Sequence, residues 1–468
     1  MDVVVIGCGA AGIAALRRLH DAGLKVIGLE AADRIGGRIL TVPFGAANVD
    51  IGAAWCHGEK DNICFEIANP LDLLEADKER KNIYVQSNGE LVPEDSGAAI
   101  LKALDEEVAR ADKYTTKSIS ECVRSAATTN ITLSKDPKLT RSVLKWYEQN
   151  SHLGGEDDPK KGKSLRGLVE FWNSEGESWL NWKGRGYATI LDILMNKYPD
   201  PSKEVPLQIL LNKEVATVRW GSKSGNDTGN PLVQVICKDG SLYAAKSVIV
   251  TVSVGVLKDR YAQLFNPPLP VDKINTINHL QLSVLAKIYI EFESPWWPTD
   301  AANFVLLWRD EEKPKFSEEE KWATEIFSFI TVSHQPNVLL AWLCGNVVEV
   351  MEKKSEGEVR DGVQKVLDVV LMKQFNVSPI KNILRTKWAT DPLTRCAYAY
   401  RSAGLEEIGG SAATLSEPLY HGDKFPVVCF AGEATSHHRH SAVHGAVESG
   451  FREADRLIEN FKRLNFKH

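Results

Sequence analysis

The chain has 468 residues, a hydrophobic fraction of 43%, a charged fraction of 25% and a formal net charge of -6. That composition suits a globular protein, and at roughly 150 residues per domain the length predicts two domains or three. The acidic balance argues against nucleic acid as the main partner and mildly favours cationic ligands, and no apolar run approaches the ~18 to 20 residues of a membrane span.

Val3 to Ile6 is an apolar run of strand length. Gly7-Cys8-Gly9-Ala10-Ala11-Gly12 follows at once, and an Ala/Leu-rich stretch of helical spacing then runs to His20 before Asp21-Ala22-Gly23 stops it. A second strand, Leu24 to Leu29, leads to Glu30, about 18 positions beyond Gly12 and close to the ~20 expected of an acid that binds a ribose hydroxyl. Gly7 permits the tight turn, Gly9 lets the backbone approach a pyrophosphate, and Gly12 lets helix and strand pack closely. The helix N-terminus offers unpaired N–H groups to phosphates. The unit predicts a dinucleotide held by Gly7, Gly9, Ala11, Gly12 and Glu30.

From 71 to 165 the sequence is strongly charged and helical in spacing, with a polar break at Gly154 to Lys161. Strand-like runs return at Gln208 to Leu211, Val215 to Trp220, Val233 to Cys237 and Val248 to Val252, interrupted by the turn-rich Gly221 to Pro231. Val284 to Phe292 and Val338 to Cys344 are further strands, and Gly357 to Phe375 has helical periodicity. Near the end, apolar Val427 to Phe430 leads into Ala431-Gly432-Glu433, and His444-Gly445-Ala446 opens a helix to about Phe461. The alternation predicts two discontinuous domains, one from 1–75, 205–278 and 392–468 for the nucleotide and one from 76–204 and 279–391 for the substrate.

Eight cysteines without CxxC spacing suit free thiols in a reducing compartment, and no metal site is expected. The opening core strand leaves no room for a secretory leader, and Phe466-Lys467-His468 is not a recognised peroxisomal address. The expected location is the cytoplasm.

Arg34-Ile35-Gly36-Gly37-Arg38, Gly52-Ala53-Ala54-Trp55-Cys56-His57-Gly58 and Phe430-Ala431-Gly432-Glu433-Ala434-Thr435 together resemble the flavin-containing amine oxidases. The nearest branch is the polyamine oxidases, the acetylpolyamine and spermine oxidases. The resemblance continues through Val250 to Leu257, Lys287 to Phe292, Trp388 with Asp391 to Arg395, and His444 to Gly450. It implies an α/β fold in which a Rossmann-like, doubly wound FAD-binding domain carries an inserted α+β substrate-binding domain, with the flavin at their interface. Glu30 would then bind the adenosine ribose, Arg38 the pyrophosphate, and Glu433 would accept from the ribityl or phosphate side. Val215 matches the position whose backbone meets the adenine, and Ala54, Trp55, Trp388, Ala442 and Val443 complete the implied FAD contacts. Arg38 in a surface ion pair and Glu433 as a helix-cap acid are the bland alternatives.

Lys287 interrupts an apolar strand, where an unpaired ammonium is costly to bury. Alternation alone would turn it outward, but the resemblance implies that it reaches toward the flavin N5 through a water. His57 lies where this branch carries a histidine on the substrate side, and an imidazole titrating near neutrality can position or deprotonate an ammonium. Lys287 and His57 are therefore the expected catalytic pair, with His444 capping the C-terminal helix. The implied reaction takes hydride from the carbon beside a secondary amine of spermine or an N1-acetylated polyamine, and ends in an aldehyde, a shorter amine and hydrogen peroxide from molecular oxygen, with FAD carrying the electrons.

A polyamine slot needs carboxylates and aromatic walls. Candidates are Glu59, Asp61, Glu175 and Glu177, with Trp55, Trp172, Tyr398 and Tyr400, besides His57 itself. Ser441-Ala442-Val443-His444 departs from the branch, which often has tyrosine or threonine there; Ala442 should widen the slot, and His440 replaces an aromatic. Other readings stay open: a flavin oxidase of monoamines or methyl-lysine, and a non-enzymatic binder that shares the fold. No obligate protein partner is expected.

Overall fold

The computed structural model describes all residues except 78–80, 131–132, 134, 155–157, 222–231, 423–424 and 466–468. The turn-rich stretch after Gly221, the centre of the polar break at 154–161 and the final three residues thus lie outside the described residues.

β1 (Val3–Ile6) is buried at every position. It sits inside a six-stranded sheet between two parallel neighbours, β2 (Val26–Leu29) and Ser247–Val250, with Val3 opposite Val26 and Ser247. A strand covered on both faces reads as an unbroken apolar run, and all three strands do. Ile209–Leu210 extends the sheet beyond β2, while Phe425–Phe430 and Leu419–His421 extend it beyond Ser247–Val250. α1 (Ala10–Asp21) connects β1 to β2 and buries Ile13, Leu16 and Leu19. The helix Val443–Asn465 shares that core through Val447, Ala454 and Leu457. Gly450 approaches α1 so closely that a Cβ would lie 2.2 Å from the Ala11 carbonyl oxygen.

A second sheet has seven strands, in the order Ile380–Arg385, Leu285–Phe292, Gln335–Cys344, Ile326–Val332, Ala301–Leu307, Lys81–Gln86 and Leu91–Val92. Leu285–Phe292 is antiparallel to both of its neighbours, in a register that sets Lys287 opposite Trp342. The charged stretch from 71 to 165 supplies helices Glu94–Arg110, Ile119–Thr129 and Pro137–Asn150, but also the strand Lys81–Gln86. Gly357 to Phe375 divides into an α-helix, Glu356–Val366, started by a Ser355/Glu358 capping box, and a π-helical turn, Leu367–Leu371.

Trp182, Tyr187, Ile190 and Leu194 pack in the same core as α1. The helix Thr189–Leu194 therefore belongs to the first lobe's core although it falls within 76–204. A short antiparallel pair, Gln281–Ser283 with Tyr398–Tyr400, forms a separate two-stranded sheet. Among the described residues no helix is long and apolar enough to cross a membrane.

Candidate active site

A cavity of about 1250 Å³ is lined by residues of both sheets. One small-molecule ligand takes roughly 300–1,000 Å³, so there is room for more than one molecule.

Gly7, Gly9, Ala11, Glu30, Arg38 and Val215 line one part of it. Gly7 has φ +91, and a Cβ there would meet Thr251 Oγ1 at 2.7 Å. Gly12 is outside the wall: a Cβ there would lie 1.9 Å from the Gly7 carbonyl oxygen, so its role is the close approach of α1 to the turn. α1 begins at Gly9 with no side-chain cap and no acid in its first turn. Its first N–H groups and the positive end of its dipole are thereby left to an anionic ligand. Glu30 accepts from the backbone N–H of Cys8 at 2.8 Å and of Ala32 at 2.9 Å, and each oxygen keeps a second lone pair. These features fit the pyrophosphate and ribose of a dinucleotide.

Arg38 Nη1 donates to Glu433 Oε1 at 3.1 Å and to the Ala397 carbonyl at 3.2 Å. Glu433 also accepts from the N–H of Ala399 at 3.2 Å and of Ser441 at 2.9 Å. Ser441 is in the left-handed region at φ +66, and its hydroxyl donates to the Ala399 carbonyl at 2.7 Å. Glu433 thus gathers Arg38, the 397–399 strand end and the turn before Ala442, which is neither a surface ion pair nor a cap of the last helix.

Lys287 Nζ donates to the carbonyls of Asp50 at 2.9 Å and Gly52 at 2.6 Å. It lies 5.4 Å from the ring centroids of Trp55 and of Trp342. Tyr289 Oη donates to the Asp50 carbonyl at 2.7 Å and Trp388 Nε1 to the Ile51 carbonyl at 3.1 Å. Three side chains of the second lobe therefore pin the carbonyls of residues 50 to 52, leaving one of the three ammonium N–H groups uncommitted. Burial pushes the Lys287 pKa down to about 8, with the Asp50 charge opposing the shift.

His57 Nδ1 lies 2.7 Å from the Ser178 carbonyl. A carbonyl only accepts, so Nδ1 carries the proton and Nε2 of the neutral ring carries the lone pair. His57 lines the cavity, and the partial burial of its ring lowers its pKa from the ordinary imidazole value against the Ser178 contact. Trp179 meets both His57 and Trp55 edge-on, at 5.4 and 5.1 Å, and Trp55 stacks on Trp342 at 6.2 Å. Trp172, which also lines the cavity, stacks on His438 at 3.6 Å.

Ala54, Trp388, Tyr398, His440, Ala442, Val443 and His444 line the cavity as well. Tyr400 does not, and its hydroxyl donates to the Lys161 carbonyl. Glu59, Asp61, Glu175 and Glu177 also stand outside the wall. Backbone hydrogen bonds from Gly58 to Glu177 and from Glu59 to Glu175 hold them on paired exposed loops, where Glu175 meets Lys60 and Glu177 accepts from the Trp179 N–H. Sequence reasoning missed Asp50, Tyr289, Trp342, His152 and Lys163, all in the wall. His152 has its Nδ1 2.5 Å from the Tyr398 hydroxyl. The eight cysteines are free.

Residues 10–458 match the family described as flavin containing amine oxidoreductase. The human peroxisomal N(1)-acetyl-spermine/spermidine oxidase is 30% identical over 97% of this chain and 94% of its own length. Polyamine oxidase 1 of rice is 28% identical over 98% of this chain and 97% of its own. Among solved structures, a putrescine oxidase redesigned in its cofactor binding superposes with a TM-score of 0.66 at 20% identity, covering 98% of this chain and 99% of that one. The chain belongs to the flavin-containing amine oxidoreductases, and it is a flavoprotein enzyme of the amine oxidase fold.

Proposed function

We propose that this enzyme is an FAD-dependent polyamine oxidase that uses molecular oxygen. The observation that carries the reading is the position of Lys287, fixed on the Asp50 and Gly52 carbonyls between two tryptophan rings, in a cavity continuous with the glycine turn of β1. Gly7, Gly9, Ala11, Glu30 and Val215 would hold the adenosine and pyrophosphate with Arg38, and Ala54, Trp55, Trp388, Ala442 and Val443 would flank the ring system. When bound, the flavin supplies a two-electron acceptor for the C–H bond beside an amine and a donor to oxygen.

The protein's own groups do the rest. Nε2 of His57, unprotonated at neutral pH, accepts the proton of a substrate ammonium and leaves the secondary amine neutral. The free N–H of Lys287 holds a water, the nucleophile that later splits the iminium into an aldehyde and a shorter amine. Trp55, Trp179 and Trp342 wall this region with apolar surface and offer ring faces to the remaining cationic groups. Eight free thiols support a reducing compartment such as the cytoplasm.

The test is an oxygen-uptake panel of spermine, spermidine, their N1-acetylated forms and an aromatic monoamine, run on protein purified from a flavin-replete host. Peroxide release with the aliphatic amines alone is expected. A colourless protein, or turnover of the monoamine alone, overturns the reading.

A further inference from the structure

Two further lysines line the cavity, Lys213, which is paired with Asp239, and Lys163. Lys163 lines it beside Asn150, His152 and His440, and its backbone is tied to Leu153, Ile119 and Ser402. Its ammonium has no hydrogen-bond or ion-pair partner among the described residues. Burial lowers its pKa, and no carboxylate opposes the shift. The surroundings are no more acidic: burial, and then the charge of Lys163, push the imidazoles of His152 and His440 down to about 3 and about 4. His440 Nδ1 is buried with no partner.

The carboxylates in the wall are committed elsewhere. Glu30 accepts backbone N–H groups, Glu433 holds Arg38, and Asp50 accepts from Thr41 and the Tyr187 N–H. Asp77 is bonded by Asn181 and Ser333, Glu214 by Arg260 and Lys238, and Asp391 by the Leu393 N–H. Arg401, the other cation of the wall on this side, is already paired with Glu406 and Glu170. The Lys163 part of the wall therefore carries a positive charge without a counter-ion, and a terminal ammonium there would meet a like charge. It is one aromatic residue away from the reactive lysine: the Trp342 ring lies 5.4 Å from Lys287 Nζ and 6.4 Å from the His152 ring.

We propose that Lys163 is a specificity-determining residue that receives an oxygen acceptor at the far end of the amine, an acyl carbonyl or a carboxylate, and turns away a free terminal ammonium. The inference rests on the reading of the cavity as an amine-oxidising site. An unpartnered ammonium gains a charge-assisted hydrogen bond from either oxygen group, whereas the exposed acids at 59, 175 and 177 stand outside the wall.

The test compares spermine, N1-acetylspermine and N-propyl-4-aminobutanoate on the flavin-loaded enzyme and on Lys163→Met, Lys163→Glu and Lys163→Arg. At least one oxygen-ended amine should exceed spermine about tenfold in kcat/KM; Lys163→Met should remove that preference through KM rather than kcat, Lys163→Glu should reverse it, and Lys163→Arg should retain it. A loss confined to the aminobutanoate assigns charge pairing, and one confined to the acetyl compound assigns a carbonyl hydrogen bond. Equal ratios in wild type, Lys163→Met and Lys163→Glu overturn the proposal. Quenching of tryptophan fluorescence by the same three compounds is read in parallel. If none is oxidised, the function reading fails, while the order of binding still decides the role of Lys163.

Discussion

Arg38 and Glu433, separated by 395 positions in the chain, meet at 3.1 Å beside the cavity. The pair joins the loop after β2 to the segment after Phe425–Phe430, and Glu433 spends its other oxygen on the Ser441 N–H. Glu433→Gln keeps the shape but strips Arg38 of its counter-charge. Breaking a wholly buried pair costs ~3–5 kcal/mol; because Arg38 keeps 23% exposure, about 2 to 3 kcal/mol is expected here. Urea unfolding of flavin-stripped protein reads this loss, and a change within error would show that the clasp contributes no stability.

Gly12→Ala should abolish flavin retention, because its Cβ would sit 1.9 Å from a backbone oxygen that cannot move without opening the turn. The control is Gly357→Ala in the helix Glu356–Val366, where nothing lies within 4 Å of a new Cβ. It should be neutral or stabilising by about 0.5 kcal/mol. The ratio of visible to ultraviolet absorbance of the purified variants reads flavin retention in both, and urea unfolding reads the stability of Gly357→Ala.

Lys287 titrates near pH 8 in the folded protein, below the ~10.4 of a free lysine. Between these values the unfolded chain binds the extra proton, so the contribution of this residue to stability rises with pH across that window. The melting temperature of wild type relative to Lys287→Met should therefore climb from pH 8 to 10. A flat difference would mean that Lys287 keeps an ordinary pKa.

Replacing His57 by alanine removes the proton acceptor beside the substrate. At pH 7 kcat/KM should fall about 10²-fold, the lower end of what a positioned acid–base group contributes. The deficit should shrink toward pH 10, where the amine is neutral without help. A deficit independent of pH would leave His57 with a packing role only.

The central strands β1, β2 and Ser247–Val250 were largely legible because they are buried at every position and stand out as apolar runs, whereas Val215–Trp220 and Val233–Cys237, in a separate four-stranded sheet, were legible through partial alternation of buried and less buried residues. Lys81–Gln86 was not: with two exposed residues and a flanking charged stretch, it owes its strand state to parallel pairing with Ala301–Leu307, a partner more than two hundred residues away. Lys287 could be found as a charge in an apolar strand, but its neighbour Trp342 looked like ordinary core, since the register that brings them together is a property of the sheet. The acids at 59 and 177 were near the right loop in sequence, yet the pairing of residues 58–59 with 175–177 turns them outward. Lys163 gave no local signal, because what marks it is the absence of a counter-ion in three dimensions.

Phe425–Phe430 completes the first sheet, and Gly432, Glu433, Ala442 and Val443 complete the wall of its cavity. The ribosome thus delivers the glycine turn of β1 hundreds of residues before the pieces that close around it. A nascent chain stalled ahead of residue 425 lacks the last strand beside Ser247–Val250, the final pieces of the wall and the clasp for Arg38, so the cavity closes only after residues 425–443 are made.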